Sequence, residues 1–371
     1  MKKIIYVGGF ELPDKNAAAH RVLGIAKAWR QCGHEIIFIG VSRDNREKNV
    51  LNTKSSVNGF TTYSIPYPIN KKEWIKYLTD IRAVKQVLEN CGQVDGVICY
   101  NYQAIALDRL RRYCKKNGIK IYADCTEWYN TNGFSLTQKM IKGFDTWYRM
   151  AVVQKKLDGI IVISDFLKQY YKACTNVITI PPLIDVEEEK WNVTPKVLEK
   201  GFNFIYSGNP GSKDRLDKIV ATCCELMKDC NLNLWLIGIN RNDFLSLYPE
   251  YRDKEMNPSI HFLGKLPHSE SIAYLKSADC SLIIRNSCRT NNAGFPTKFV
   301  EAITLGVDVI ATNTSDLEKY ANETQGVLLM DSSLIDVMKK YMEKKRANAE
   351  KQKKDLFDYR KWTKEAMSLI E

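Results

Sequence analysis

The residues best suited to chemistry lie in the stretch NNAGFPTKFVEAITLGVDVIAT, residues 291–312. Pro296 suits a helix start, because its missing N–H has no intrahelical partner there. Gly306 suits the position just past the helix end, and 307–312 then reads as a buried strand. Thr297 and Glu301 are four apart with Lys298 beside them, while Phe299 and Ile303 point the other way. A helix opening from Gly294-Phe295-Pro296 presents unpaired N–H groups and the positive end of its dipole. Acidic residues usually occupy such a first turn, but here Lys298 adds further positive charge. An anionic ligand such as a diphosphate accounts for that choice. Glu301, one turn in, could accept hydrogen bonds from a ribose. An ordinary amphipathic helix with a chance Lys and Glu fits the same residues.

Three other places carry candidate chemistry. Gly208-Asn209-Pro210-Gly211-Ser212-Lys213 lies between a strand at 202–208 and a helix over about 214–229. Lys213 there is either a surface lysine or, with Lys298, one of two cations converging on one diphosphate. Asp124 and Glu127 stand beside Trp128 and Tyr129 at the C-terminal end of a strand. Ligands of open α/β sheets bind at such ends, although a helix cap and a solvated loop are the plainer alternative. Gly8-Gly9 follows the first strand and lets backbone approach a ligand closely, but the sequence lacks GxGxxG. His20 and Arg21 begin the next helix, as acceptor or phosphate contacts or as surface residues.

GFPTKFVEA, then Gly306 and a hydrophobic strand, resembles the donor-sugar motif of the retaining GT-B glycosyltransferases (glycosyltransferase family 4, "group 1"). Relatives often carry two glutamates around this motif. Here the second is Glu301, the first position is Ala293, and the usual Pro of the following strand is Asp308. The reduced Pro-x-Lys-x-x-Glu form is read as a variant, with the choice of sugar affected by Ala293. The resemblance implies donor contacts from Gly9, Gly208, Asn209, Lys213, Gly264, Arg285 and the run Gly294, Phe295, Pro296, Thr297, Lys298 and Glu301. It implies acceptor contacts from His20 and Arg21. Asn209 replaces an arginine common in relatives, which leaves the charge to Lys213 with Arg215 nearby. Asp124 and Glu127 are the candidates to replace a His-Asp pair that contacts the transferred sugar. With Lys213 and Lys298 they make up the catalytic candidates.

The elements that position these residues alternate strand and helix from the start, the pattern of doubly wound parallel sheets. Strands read at 3–7, 35–40, 95–100, 120–125, 159–164 and 177–182, with a helix over 17–31 and another over 71–90. A polar stretch at 184–201 reads as a linker. A second series follows, with strands and their turns at 202–208, 232–238, 260–270, 279–285 and 307–312 and a basic helix over 333–354. The predicted architecture is GT-B: two Rossmann-like domains, 1–183 on the acceptor side and 184–354 binding the nucleotide sugar. Residues 355–371 are expected to pack back on the first. Residues 137–156 mix Met, Ile, Phe, Trp and Tyr with cations. Such a helix either packs its apolar side on the sheet, the commoner outcome, or lies on an anionic bilayer.

Composition narrows the class. With 371 residues, 44% hydrophobic and 26% charged, the chain suits two globular domains. Eleven cysteines without CxxC spacing fit reduced thiols. Four scattered histidines and no Asp-x-Asp motif predict no metal and no cofactor beyond the nucleotide-sugar substrate. No apolar run approaches a membrane span, and the five-residue run near the start is too short for a signal peptide. The net charge of +12 implies anionic partners. The expectation is therefore a metal-independent retaining hexosyltransferase of surface polysaccharide synthesis. It would be cytoplasmic, either free or at the inner membrane face, with a glycan or lipid-linked acceptor. A sugar-nucleotide epimerase or hydrolase on the same fold and a non-catalytic nucleotide-sugar-binding protein are the rivals. No nucleic-acid motif accompanies the charge.

Overall fold

The computed structural model describes residues 1–129, 135–174, 176–211, 213–324, 326–330, 332–345 and 355–371. Contacts divide the chain into two units. The first comprises Met1–Asp185, Ala293–Phe295 and Phe357–Glu371, and the second Val186–Asn292 and Pro296–Leu356.

The first unit is built on eight strands: β1 (Lys3–Gly8), β2 (Glu35–Ser42), β3 (Ser55–Val57), β4 (Phe60–Pro66), β5 (Gly96–Tyr100), β6 (Lys120–Cys125), β7 (Gly159–Val162) and β8 (Val177–Thr179). Their order is β3-β4-β2-β1-β5-β6-β7-β8. All neighbours are parallel except β3 and β4. Strands such as KIIYVG are apolar on consecutive residues because helices cover both faces of a parallel sheet. Helix α1 (Ala17–Gln31) is capped by Asn16 and buries Val22, Ile25 and Trp29. The Trp29 indole donates to Ala366 O at 2.8 Å, so the final segment is part of this core.

Residues 71–90 are two helices, α2 (Lys71–Thr79) and α3 (Arg82–Asn90), and not the single helix predicted. The backbone of Asp80 is extended where α2 ends, and its carboxylate accepts from the Arg82 N–H at the start of α3. Helix α4 (Ala104–Lys116) packs on the sheet beside them. Helix α5 (Leu136–Trp147) departs further from expectation. Its buried side carries Thr146, and Asp145 accepts from the Ala104 N–H, while Leu136, Met140, Ile141, Phe144 and Trp147 face solvent. Over 137–156 the expected burial of apolar residues holds only for the later part, where Met150 and Val153 are buried in the turn Tyr148–Val153, and not for α5.

The second unit holds β9 (Phe202–Ser207), β10 (Leu232–Ile237), β11 (Ile260–Gly264), β12 (Cys280–Ile283), β13 (Asp308–Ala311) and β14 (Val327–Leu329). They form an all-parallel sheet in the order β11-β10-β9-β12-β13-β14. The basic helix expected over 333–354 is described as Leu334–Lys345, and its extension to 354 lies outside the described residues. It is more than a solvated face, since Val337, Met338, Tyr341 and Met342 enter the core. The predicted linker is also partly folded, with Trp191 buried in a short 3₁₀ turn, Glu189–Trp191. Residues Ala293–Phe295, expected in the second half, belong with the first unit. There the Ser164 hydroxyl donates to Ala293 O at 2.9 Å and Phe295 meets Phe357.

In each sheet the parallel strand order switches direction, between β1 and β5 and between β9 and β12. Two connections leave such a point on opposite faces, and the gap at the strands' C-terminal ends is where ligands settle.

Candidate active site

At the reversal in the second sheet, β9 runs into Gly208 and β12 ends beside Arg285. The loop after Gly208 delivers Asp214, which pairs as an isolated bridge with Arg285. The Asp214 carboxylate is buried. It accepts from Lys298 Nζ at 2.8 Å, from Arg285 Nε at 2.6 Å and from the Tyr206 hydroxyl at 2.6 Å. The Lys298 amine also stands 3.9 Å from the centre of the Tyr206 ring, a cation–π contact. Lys298 rises from the helix Thr297–Thr304, whose N-cap is Pro296 and which has no side-chain cap and no acid in its first turn.

Gly208 explains how the amine fits. Its φ is +138, and a Cβ there would lie 3.3 Å from Lys298 Nζ. Only glycine both accepts that backbone conformation and clears the amine.

Burial dominates the electrostatics. It pulls the Lys298 ammonium down from 10.5 to about 8, against the opposing pull of Asp214. Burial pushes the Asp214 carboxyl up, but Lys298 and Arg285 outweigh it and hold the group below the usual carboxylate range. Two cations thus share one anion, leaving a local excess of positive charge at a helix start.

The other predicted residues of this unit gather around the cluster or near it. Lys213 is half-buried, forms no ion pair with the described residues, and its carbonyl accepts from Asn291. Asn209 and Thr297 are exposed. Glu301 lies one turn beyond Lys298, 3.4 Å from His268 Nε2. Gly264 takes φ +67 in the turn leading to His268. Gly294 and Phe295 belong instead with the first unit, where they are buried and Phe295 faces Phe357, so its aromatic ring is spent on packing.

In the first unit, two assignments need correction. Asp124 is 0% exposed and Arg21 4%, and they form a buried ion pair at 2.7 Å. Tyr6 donates to the same carboxylate, and Arg21 also donates to Ile180 O. Their charged groups are consumed in joining β1, α1, β6 and the chain after β8, so neither a sugar-contacting Asp124 nor an acceptor-contacting Arg21 matches this geometry. Glu127 is the half-buried carboxylate of that loop, and His20 is half-buried on the first turn of α1. Gly9 lies where a Cβ would meet the Tyr77 hydroxyl at 3.2 Å. A cavity of about 490 Å³ opens at the C-terminal ends of β1, β2 and β4, lined among others by Arg46, Lys48, Lys76, Tyr77 and Tyr102.

Sequence reasoning missed Asp214, Tyr206 and His268. The Lys213-Asp214 pair was visible, but nothing in one strand's sequence says that its Tyr faces a carboxylate eight residues later. Among the described residues no group of three His, Cys, Asp or Glu is placed to hold a metal ion.

Residues 18–188 match the family model Glycosyltransferase Family 4, and residues 187–356 match Glycosyl transferases group 1. Between them the two matches span most of the chain, which belongs to the GT-B glycosyltransferases. Solved structures agree on the fold. Sucrose-phosphate synthase from Thermosynechococcus elongatus is 13% identical with a TM-score of 0.68, covering 100% of this chain and 94% of that one. The Anabaena protein HepE in complex with UDP is 11% identical with a TM-score of 0.61, covering 100% and 96%. UDP-GlcNAc 2-epimerase from Methanocaldococcus jannaschii is 14% identical with a TM-score of 0.58, covering 99% and 98%. No curated protein sequence matches the chain.

Proposed function

We propose that this glycosyltransferase moves a sugar from a nucleoside diphosphate to a glycan or lipid-linked saccharide, with retention of configuration, in surface polysaccharide synthesis at the cytoplasmic side of the membrane. The observation that carries the reading is the Lys298–Asp214–Arg285 cluster at the chain reversal of the second sheet. A preorganised excess of positive charge suits the diphosphate that accumulates charge as the glycosidic bond breaks. Lys298 supplies the nearest cation, Lys213 and Arg285 support it, and the helix start adds its dipole. Glu301 accepts from the ribose hydroxyls, with His268 steadying its carboxylate. These cations neutralise the leaving group without a metal. The leaving phosphate then takes the acceptor proton on the same face of the sugar. The acceptor occupies the first unit, whose cavity mixes cations with two tyrosines.

Thermal-shift measurements across nucleoside diphosphate sugars test the donor assignment, because a ligand that prefers the folded state raises its melting point. Stabilisation by at least one such donor, lost in Lys298→Ala, is the expected result. No stabilisation by any of them refutes the assignment. Likeness in fold to an epimerase keeps one rival open. Incubation with the donor alone separates them, since an epimerase converts it without acceptor.

A further inference from the structure

We propose that Asn291 is a positioning residue for the donor site: its side-chain amide ties the chain that carries Lys213 to the chain that carries Arg285. The proposal rests on the reading of the Lys298–Asp214–Arg285 cluster as the diphosphate site, and adds the part that fixes Lys213. Asn291 lies in the short helix Arg289–Ala293 and is 3% exposed. Its Nδ2 donates to Asn286 O at 2.8 Å and to Lys213 O at 3.4 Å. An amide nitrogen carries two hydrogens and a backbone carbonyl can only accept, so chemistry fixes this orientation of the side chain. The flipped amide would aim its oxygen at two other oxygens.

The placement has a reason in the backbone. Asp214 and Arg285 pair as an isolated antiparallel bridge. On one side of that pair the Arg215 N–H donates to Ile284 O at 2.8 Å. On the other side stand Lys213 and Asn286, and the Asn291 amide takes both of their carbonyls. An isolated bridge has no neighbouring ladder to hold its end, and Asn291 closes that end. Asn286 is a firm anchor, because its side-chain oxygen also accepts from Arg215 Nη1 at 3.1 Å.

The Asn291 oxygen, by contrast, is buried without a partner. An unpaired buried acceptor costs free energy that an apolar side chain of similar size would avoid. The two donors offset that cost, and what they hold is the backbone from which the Lys213 side chain starts. Lys298 is fixed directly by Asp214 and the Tyr206 ring. Lys213 has no ion-pair partner among the described residues, so its reach toward a diphosphate depends on where its backbone is held. A stabilising charge displaced by even a small distance loses much of its effect on a transition state.

Amide hydrogen exchange at 213–215, together with donor kinetics of the full chain, tests the proposal. In Asn291→Ala that exchange should quicken, and kcat/KM for the donor should fall ~10–10²-fold, the scale of loss from a misplaced group. Adding Asn291→Ala to Lys213→Ala should cost almost nothing more, because a residue acting through Lys213 then has nothing left to place. Adding it to Glu301→Ala should multiply the two losses. Asn291→Ser keeps a hydroxyl but cannot span both carbonyls, so it should behave alike if Asn291→Ala melts too early to assay. The proposal is overturned if exchange at 213–215 is unchanged in both variants. Losses that multiply with those of Lys213→Ala overturn it too, and make Asn291 a structural residue only. Failure of the donor reading shows separately, as a parent that no nucleoside diphosphate sugar stabilises. That result removes both readings, whereas unchanged exchange in a donor-binding parent removes this one alone.

Discussion

Lys298 Nζ lies 2.8 Å from Asp214 Oδ2, and this contact opposes the effect of burial on both charges. A buried ammonium is costly without an anion beside it, and Asp214 offsets that cost while Tyr206 supports the amine from below. The amine is therefore held in place by groups that do not depend on its ligand.

Substituting Lys298→Ala should lower kcat/KM by ~10²–10³-fold, the usual effect of removing one preorganised charge-stabilising group. Lys298→Arg should not restore it. The amine sits within 2.8 Å of Asp214 and 3.9 Å of the Tyr206 ring centre, and a planar guanidinium needs more room than that niche offers. Steady-state kinetics with unchanged melting temperature would establish the point. Activity within a few-fold of the parent in Lys298→Ala would remove Lys298 from the mechanism.

The depressed Lys298 value has two consequences with pH. Nucleoside diphosphates should bind with constant affinity below about 8, and lose ~10-fold per pH unit above it as the ammonium deprotonates. Calorimetry above about pH 8 should register proton uptake on binding, and Lys298→Met should abolish it. For stability the sign is opposite. Between about 8 and 10.5 the unfolded chain holds a proton that the folded chain has released, so this group adds stability as pH rises through that window. Denaturant titrations of the parent and Lys298→Met should diverge there.

Glu301→Ala should raise the donor KM by ~10-fold, the worth of hydrogen bonds to a charged acceptor. The discriminating readout is a donor analogue lacking ribose hydroxyls. The parent should reject it, and Glu301→Ala should treat it like the normal donor. Equal discrimination by both proteins would show that Glu301 serves His268 alone.

Arg21→Ala or Asp124→Ala should destabilise the first unit by ~3–5 kcal/mol, because either leaves its partner charged and buried. Thermal melts should therefore drop well before any kinetic constant is interpretable. A folded, equally stable Asp124→Ala variant with altered sugar preference would return that residue to a substrate role.

Much of the framework was legible because buried parallel strands advertise themselves as continuous apolar runs. Helix α1 reads directly from Val22, Ile25, Trp29 and the stop at Gly33. Lys298 was legible as a cation out of place at a helix start. Burial was not. Arg21 and Asp124 look like polar residues at a helix start and a strand end, the usual addresses of functional groups. Their pairing spans 103 positions, which no local pattern encodes. Asp80 shows a similar limit: the apolar rhythm of 71–90 runs on through it, yet the backbone is extended there and the helix is interrupted. In α5 the apolar rhythm is legible, but periodicity gives a stripe without saying which way it faces.

The first unit's core has a consequence for synthesis. Its sheet is encoded before residue 186, yet Ala366, Leu369 and Ile370 complete the packing around Trp29. During translation that groove stays uncovered while all of the second unit is made. The later-encoded unit, drawn from residues no further than Leu356, can therefore mature before the earlier one closes. A ribosome stalled shortly before the final segment would hold an exposed tryptophan-lined trough, a natural place for a chaperone to bind.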